Sequence, residues 1–355
     1  MEKDYYKSRD FIPRSVGLMS NRIYLCGSPC SGKTTLALSL DIASFICYIN
    51  LSLIPSKRLI NEAKERLLNL DSTIRLIVID DYRHGFLDNI LLSKLHKVKI
   101  ILIGKHSTYK QDLILRGFSY IALHNLSFEE YLAGDRKNLG IESLFANFIE
   151  FGNSPDINQL KRFQREQRRW QIMKLGLEEN FSIFQAMLSF QSIKITTNNL
   201  YTQLKSHVQI SKDRLYPLIE NLRDEHIIFV CEHSNNLNSK SKKYKLYFYD
   251  FSLYMLADSR HFLRMYENMV YLELIARGFI LSYNDDFDFL DERKDIFFIC
   301  MPFASIENIE LRIASLSPIS NITKKQIVVI SMNLNKILSD NIMIMDFTSL
   351  YSLSF

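Results

Sequence analysis

The chain has 355 residues, too many for one small core, so two or three domains are expected. Apolar residues make up 47 %, with 11 Gly and 7 Pro, which excludes a disordered chain or one strung together by long flexible linkers. A net charge of +5 fits contact with a polyanion without demanding it.

Cys26, Cys30, Cys47, Cys231 and Cys300 form no C-x-x-C pair, and their odd number argues against a disulfide framework or a zinc ribbon. The polar start MEKDYYKSRD is not a signal peptide, and the apolar stretch 36–54 is broken by Asp41 and Asn50. A cytoplasmic protein with no membrane contact is expected.

Residues 22–26 (RIYLC) read as a short buried strand, followed by GSPCSGKTT and the apolar stretch 36–40. Further strands are expected at 44–49, 75–79, 99–103 and 119–123. Helical spacing falls between them at 56–70, 87–95 and 110–116. The strands are continuously apolar and alternate with helices, so the first 125 residues predict a parallel α/β sheet covered on both faces. At Leu126–Leu132, Ser127 and Glu130 form a capping box at a helix start.

Gly27-Ser28-Pro29-Cys30-Ser31-Gly32-Lys33-Thr34 fits G-x-x-x-x-G-K-[ST] at every fixed position, between a strand and a helix. Gly32 lets the backbone approach phosphate, and the consecutive N–H groups of the loop, through Thr35, form an anion nest. Lys33 can reach the β- and γ-phosphates, and the Thr34 hydroxyl can ligate Mg²⁺. ATP and Mg²⁺ are the expected ligands. Asp80, ending the apolar strand LIVI, is the candidate second metal contact. Asp81 is the candidate base, and a turn or helix cap is its competing reading. His106 and Ser107, after the fourth strand, are candidates to sense the γ-phosphate.

The ordered landmarks GSPCSGKTT, LIVIDD, ILIGKHS, LSFEEYL, FIEFGNSP, KLYFYDFSL and MYENMVYLEL resemble a prokaryotic family of AAA-type ATPases with a C-terminal domain related to restriction endonucleases. The resemblance implies an α/β P-loop ATPase core at 1–135, a helical lid at 136–190, a winged helix at 191–255 and a nuclease-like α/β domain at 256–355. It departs where the family carries Asp-Glu and this chain has Asp80-Asp81. Pro29 and Cys30 also stand where the family often has Arg.

In the lid, Lys161, Arg165 and Arg168 or Arg169 share one helical face; one Arg could reach a γ-phosphate, and a solvated basic face is the competing reading. Residues 198–223 suggest a helix-turn-helix capped by Ser211, with Lys212 and Arg214 in the first turn of the second helix. Lys240, Lys242 and Lys243 lie in a wing-like loop, and Pro217 should kink the helix. A partner bound there is DNA or a protein. In the tail, Glu267 and Asp288 match two carboxylates of a metal nuclease. Ile299-Cys300-Met301 stands where Glu-x-Lys is needed, so nuclease activity is not expected. The whole reads as an ATP-driven switch or remodeller of slow turnover, open to oligomerisation. The alternative is a nucleotide-dependent regulatory or scaffold protein with little or no hydrolysis, and a small-molecule phosphotransferase is a third reading.

Overall fold

The structure is a computed structural model describing residues 12–40, 45–158, 160–234, 242–256, 261–316 and 325–352. They gather into two compact units. The first holds the described residues within Met1–Leu126, Ser154–Asp156 and Asn221–Ile227; the second holds those within Ser127–Asn153, Ile157–Glu220 and Ile228–Phe355.

In the first unit, strands β1 (Arg22–Gly27), β2 (Ile46–Asn50), β3 (Leu76–Asp80), β4 (Lys99–Ile103) and β5 (Ser119–Leu123) alternate with helices. The helices are α1 (Lys33–Leu38), α2 (Lys57–Leu68), α3 (Asn89–Lys94) and α4 (Lys110–Leu115). The sheet order is β2-β3-β4-β1-β5, and every neighbouring pair is parallel. Side chains alternate across the sheet with a period of two. Tyr24, Cys26, Ile77, Ile79, Ile100 and Leu102 enter the cluster containing α2 and α3 residues. Ile23, Leu25, Leu76, Val78, Ile101 and Ile103 enter the opposite cluster, with Leu36 and Ala37 of α1. Burial on both faces explains the unbroken apolar runs, each large side chain contributing about 1.5–3 kcal/mol. Ser56 and Asp88 accept from the N–H groups of Leu59 and Leu91, fixing where α2 and α3 begin.

The second unit begins with α5 (Phe128–Ala133), where Ser127 Oγ accepts from Glu130 N at 3.2 Å and Glu130 returns a bond to Ser127 N at 3.1 Å. There follow in sequence α6 (Ile141–Phe151), the short α7 (Pro155–Asn158), which starts in the first unit, α8 (Arg162–Leu177) and α9 (Phe181–Met187). Next come β6 (Lys194–Ile195), α10 (Thr197–Leu204), α11 (Lys212–Asp224), whose end from Asn221 groups with the first unit, β7 (Ile228–Glu232) and β8 (Tyr244–Phe248), the strands forming an antiparallel sheet ordered β6-β8-β7. Ser211 caps α11 through Arg214 N, and the helix runs on through Pro217.

A second five-stranded sheet, ordered β12-β13-β11-β10-β9, completes this unit. It comprises β9 (Phe289–Asp291), β10 (Ile296–Cys300), β11 (Gln326–Ser331), β12 (Lys336–Ser339) and β13 (Ile342–Asp346). Its pairs β10–β11 and β11–β13 are parallel, and its edge pairs are antiparallel. In sequence, α12 (Phe262–Ala276) precedes it and α13 (Ile306–Leu316) lies between β10 and β11. The buried Asn268 of α12 bonds both backbone groups of Phe248, at 2.7 and 3.0 Å, and the buried Glu273 accepts from Phe128 N at 2.9 Å. These bonds satisfy polar groups that would otherwise be stranded in an aromatic-rich core.

Candidate functional site

The loop after β1 is built by backbone constraint. Gly27 has φ 143 and pairs with Leu123 of β5, where a Cβ would lie 2.0 Å from the Leu123 carbonyl oxygen. No side chain fits where the two paired strands lie so close. Gly32 has φ 87, a left-handed conformation open to glycine, and Cys30 shares that region at φ 54. Ser28 and Ser31 are fully buried, while Pro29, Cys30, Lys33, Thr34 and Thr35 are partly buried.

Lys33 folds back over this loop. Its Nζ donates to the carbonyls of Gly27 and Ser28 at 2.8 and 2.7 Å. Burial pushes the ammonium below the ordinary lysine value, while Cys26, Cys30, Asp80 and Asp81 push the other way. Thr34 Oγ1 donates to Asp80 Oδ2 at 2.7 Å, and the Tyr48 hydroxyl donates to the same oxygen at 2.9 Å. The other oxygen of Asp80 accepts from Asp81 N at 2.9 Å. Lys33, Thr34 and Asp80 thus meet at one end of the parallel sheet. Asp81 has φ 49, and its carboxylate makes no hydrogen bond or ion pair among the described residues. On the other side of the loop, Arg14 donates to the carbonyls of Ser31 and His124 at 2.6 and 2.7 Å.

His106 and Ser107 are engaged with Asp224, which the sequence did not single out. Ser107 Oγ donates to Asp224 Oδ1 at 2.7 Å, and His106 Nδ1 lies 3.0 Å from Oδ2. In the same turn, the His226 carbonyl accepts from Ser28 Oγ at 3.1 Å, and His226 Nε2 meets the Tyr120 hydroxyl at 3.1 Å. Burial, followed by the charge of Lys33, lowers the His226 pKa to about 4. Tyr48, Asp224 and His226 have no motif to announce them; each joins the site across a long stretch of sequence.

The second unit distributes its charged residues differently from the sequence expectation. Arg169 is 6 % exposed and donates to the Phe151 carbonyl, and Arg165 stacks 3.5 Å from the centre of the Phe151 ring. These two arginines are committed to packing around α6. A simple solvated basic face does not describe them. Arg214 donates to Asn180 Oδ1 at 2.9 Å and to the Glu179 carbonyl at 3.1 Å. Lys240 lies outside the described residues.

Glu267 and Asp288 do converge, around a cation supplied by β8. Lys245 Nζ is 2.8 Å from Glu267 Oε1 and 3.5 Å from Asp288 Oδ1, and the Tyr247 hydroxyl donates to Glu267 at 2.6 Å. Burial opposes the Lys245 charge, but the two carboxylates outweigh it and raise its pKa. Cys300 N donates to Asp288 Oδ2 at 2.9 Å, whereas Ile299 and Met301 pack into the apolar cluster of Phe297 and Val329. The sequence reading missed Lys245 because it lies in the strand after the wing-like loop, far from the hairpin.

Among the described residues, no helix is long and apolar enough to cross a membrane. No protein-family profile and no curated protein matches the chain. Solved structures do. A Walker-type ATPase of Pyrococcus abyssi aligns with TM-score 0.43 and 11 % identity over 67 % of this chain and 91 % of its own. The Aeropyrum pernix ORC1 protein in complex with DNA aligns with TM-score 0.32 and 16 % identity over 74 % and 89 %. A STAND protein with a tetratricopeptide repeat sensor, from Pyrococcus horikoshii, aligns with TM-score 0.29 and 14 % identity over 72 % of this chain and 43 % of its own. The all-parallel sheet of the first unit, with its glycine-bounded loop between β1 and α1, is consistent with a P-loop nucleoside-triphosphatase fold.

Proposed function

We propose that this chain is an AAA-type ATPase that binds ATP·Mg²⁺ at Gly27–Thr35 and acts as a nucleotide-driven switch on a nucleic-acid or protein partner in the cytoplasm. The observation that carries the reading is the 2.7 Å bond between Thr34 Oγ1 and Asp80 Oδ2, made beside the Lys33 ammonium. A hydroxyl and a carboxylate next to a lysine are the donor set for a hard divalent cation and a polyphosphate. Thr34 and Asp80 would hold Mg²⁺, and Lys33 with the loop N–H groups would hold phosphate. Bound Mg²⁺ neutralises charge on the phosphate oxygens. Lys33 would exchange the Gly27 and Ser28 carbonyls for phosphate, and Tyr48 would keep Asp80 oriented. Asp81, with its carboxylate uncommitted, is the group to accept the proton of the attacking water.

The helices α10 and α11 with the β6-β8-β7 sheet support a winged-helix reading, and the tail supports a nuclease-like fold without nuclease chemistry. The test is equilibrium binding of fluorescent ATP with Mg²⁺ and with EDTA. Wild type should bind in a magnesium-dependent way, and Lys33→Ala should bind at least tenfold more weakly, a loss of about 1.4 kcal/mol or more. Equal binding by the two proteins would sink the assignment. Turnover with and without DNA then separates the partner classes: stimulation points to nucleic acid, no response to a protein.

Two observations favour a slower second reading, a nucleotide-dependent binding protein with little hydrolysis. Asp81 is one methylene shorter than Glu, and His106 and Ser107 are both held by Asp224.

A further inference from the structure

The segment Asn221–Ile227, the last turn of α11 and the chain just after it, is part of the first unit although it lies about a hundred residues beyond the β5 strand. It touches the candidate nucleotide site at two separate places. At one, Asp224 accepts from Ser107 Oγ at 2.7 Å, Thr108 N at 2.7 Å and Thr108 Oγ1 at 3.2 Å, and faces His106 Nδ1 at 3.0 Å. A carboxylate has about four acceptor positions, so this one is saturated by a single loop. Burial works against the charge, but the bonds from Ser107 and Thr108 hold its pKa below the ordinary carboxylate value. That loop follows β4, which lies in the sheet between β3, carrying Asp80, and β1, leading into the phosphate loop.

At the other place, Ser28 Oγ donates to the His226 carbonyl at 3.1 Å, while the Ser28 carbonyl accepts from Lys33 Nζ at 2.7 Å. Ser28 therefore stands between the lysine and the turn. The segment thus touches the phosphate loop through His226 and the loop after β4 through Asp224.

We propose that Asp224 is a positioning residue for the phosphate-facing loop His106–Thr108, and that through it the turn Asn221–Ile227 responds to the nucleotide in the site. This rests on the nucleotide reading above and names its response element. A polyphosphate would draw Lys33 away from the Ser28 carbonyl and bring negative charge to the strand ends, where the Asp224 carboxylate binds the loop after β4. Both changes act on the two anchors of the turn. Linkage then makes the effect reciprocal: what holds the turn must alter nucleotide affinity by the same factor. A cap for the helical turn Ser107–Tyr109 would use some of the same bonds, but it would not make Asn221–Ile227 respond to ligand.

The test is hydrogen exchange of the full chain with and without ATPγS·Mg²⁺, reading peptides over 104–110 and 221–230, beside nucleotide titration of wild type, Asp224→Ala and Asp224→Asn. In wild type, nucleotide should change exchange in both peptides. Asp224→Ala should shift affinity by roughly fivefold or more, the lower end of ordinary coupling, and its 221–230 peptide should no longer respond. Asp224→Asn keeps the size and one carbonyl acceptor, so it should retain part of the response; it also serves if the alanine variant does not fold. Nucleotide binding to wild type without a change in 221–230 would overturn the inference alone. So would an alanine variant that keeps both the response and the affinity to within about twofold. No magnesium-dependent binding by wild type would overturn the site reading and this inference with it.

Discussion

At Gly27 the chain has no room for a side chain, because the Leu123 carbonyl oxygen lies 2.0 Å from where a Cβ would be. Gly27→Ala must push β1 from β5 or bend the loop, and such overpacking costs roughly 1–3 kcal/mol. Chemical denaturation should show a lower midpoint, and an unchanged midpoint would mean that the β1–β5 pairing yields. Asp81 poses a chemical question instead. Its carboxylate is uncommitted, so Asp81→Glu should raise turnover if the missing methylene limits proton acceptance, with nucleotide affinity unchanged. Steady-state kcat for the two proteins decides it, and a drop would show that the aspartate is already well placed. Lys33, Thr34 and Asp80 were legible in the sequence because a local motif and a strand end name them. Tyr48, Asp224 and Lys245 were not, since each acts on a residue far along the chain and carries no spacing of its own.

Among the elements, α12 and β8 are joined by the Lys245–Glu267 pair, with Asp288 at 3.5 Å. Removing one partner of a buried pair leaves the other charge uncompensated, so Lys245→Met should destabilise by about 3–5 kcal/mol. Lys245→Met with Glu267→Leu removes both charges and should recover most of that loss. Urea midpoints of the two variants check it, and equal losses would show that packing, not charge, holds the strand and helix together. The strands of the first unit were readable because burial on both faces leaves an unmistakable apolar run, and the Ser127–Glu130 capping box because it is local. The basic face of α8 was misleading for the same reason that periodicity helps elsewhere. Spacing puts Arg165 and Arg169 on one side of a helix but says nothing of partners such as Phe151.

For the molecule as a whole, linear order and spatial grouping part company. Ser154–Asp156 and Asn221–Ile227 belong to the first unit, an arrangement that no local pattern in the sequence could announce. One consequence is a pH dependence carried by that distant turn. The His226 pKa is lowered from 6.5 to about 4, so folding favours the neutral ring. Stability is full above pH 6.5 and is lost as pH falls toward 4, by roughly 3 kcal/mol at most and less where solvent screens the ring. Wild type should lose more stability between neutral pH and pH 5 than His226→Gln, as read from urea midpoints; parallel losses would remove His226 as the cause. The division into two units also sets where a ligand is felt. Nucleotide at a hundred times its Kd should stabilise the fold that binds it by about 2.7 kcal/mol. Each unit encloses its own apolar clusters, so that protection belongs to the amides of β1, β3 and β4. Amides of β10 and β11, in the other core, should gain much less. Native-state hydrogen exchange resolves the two sets, and equal protection in both would show that nucleotide acts on one cooperative fold rather than on the sheet that carries its loop.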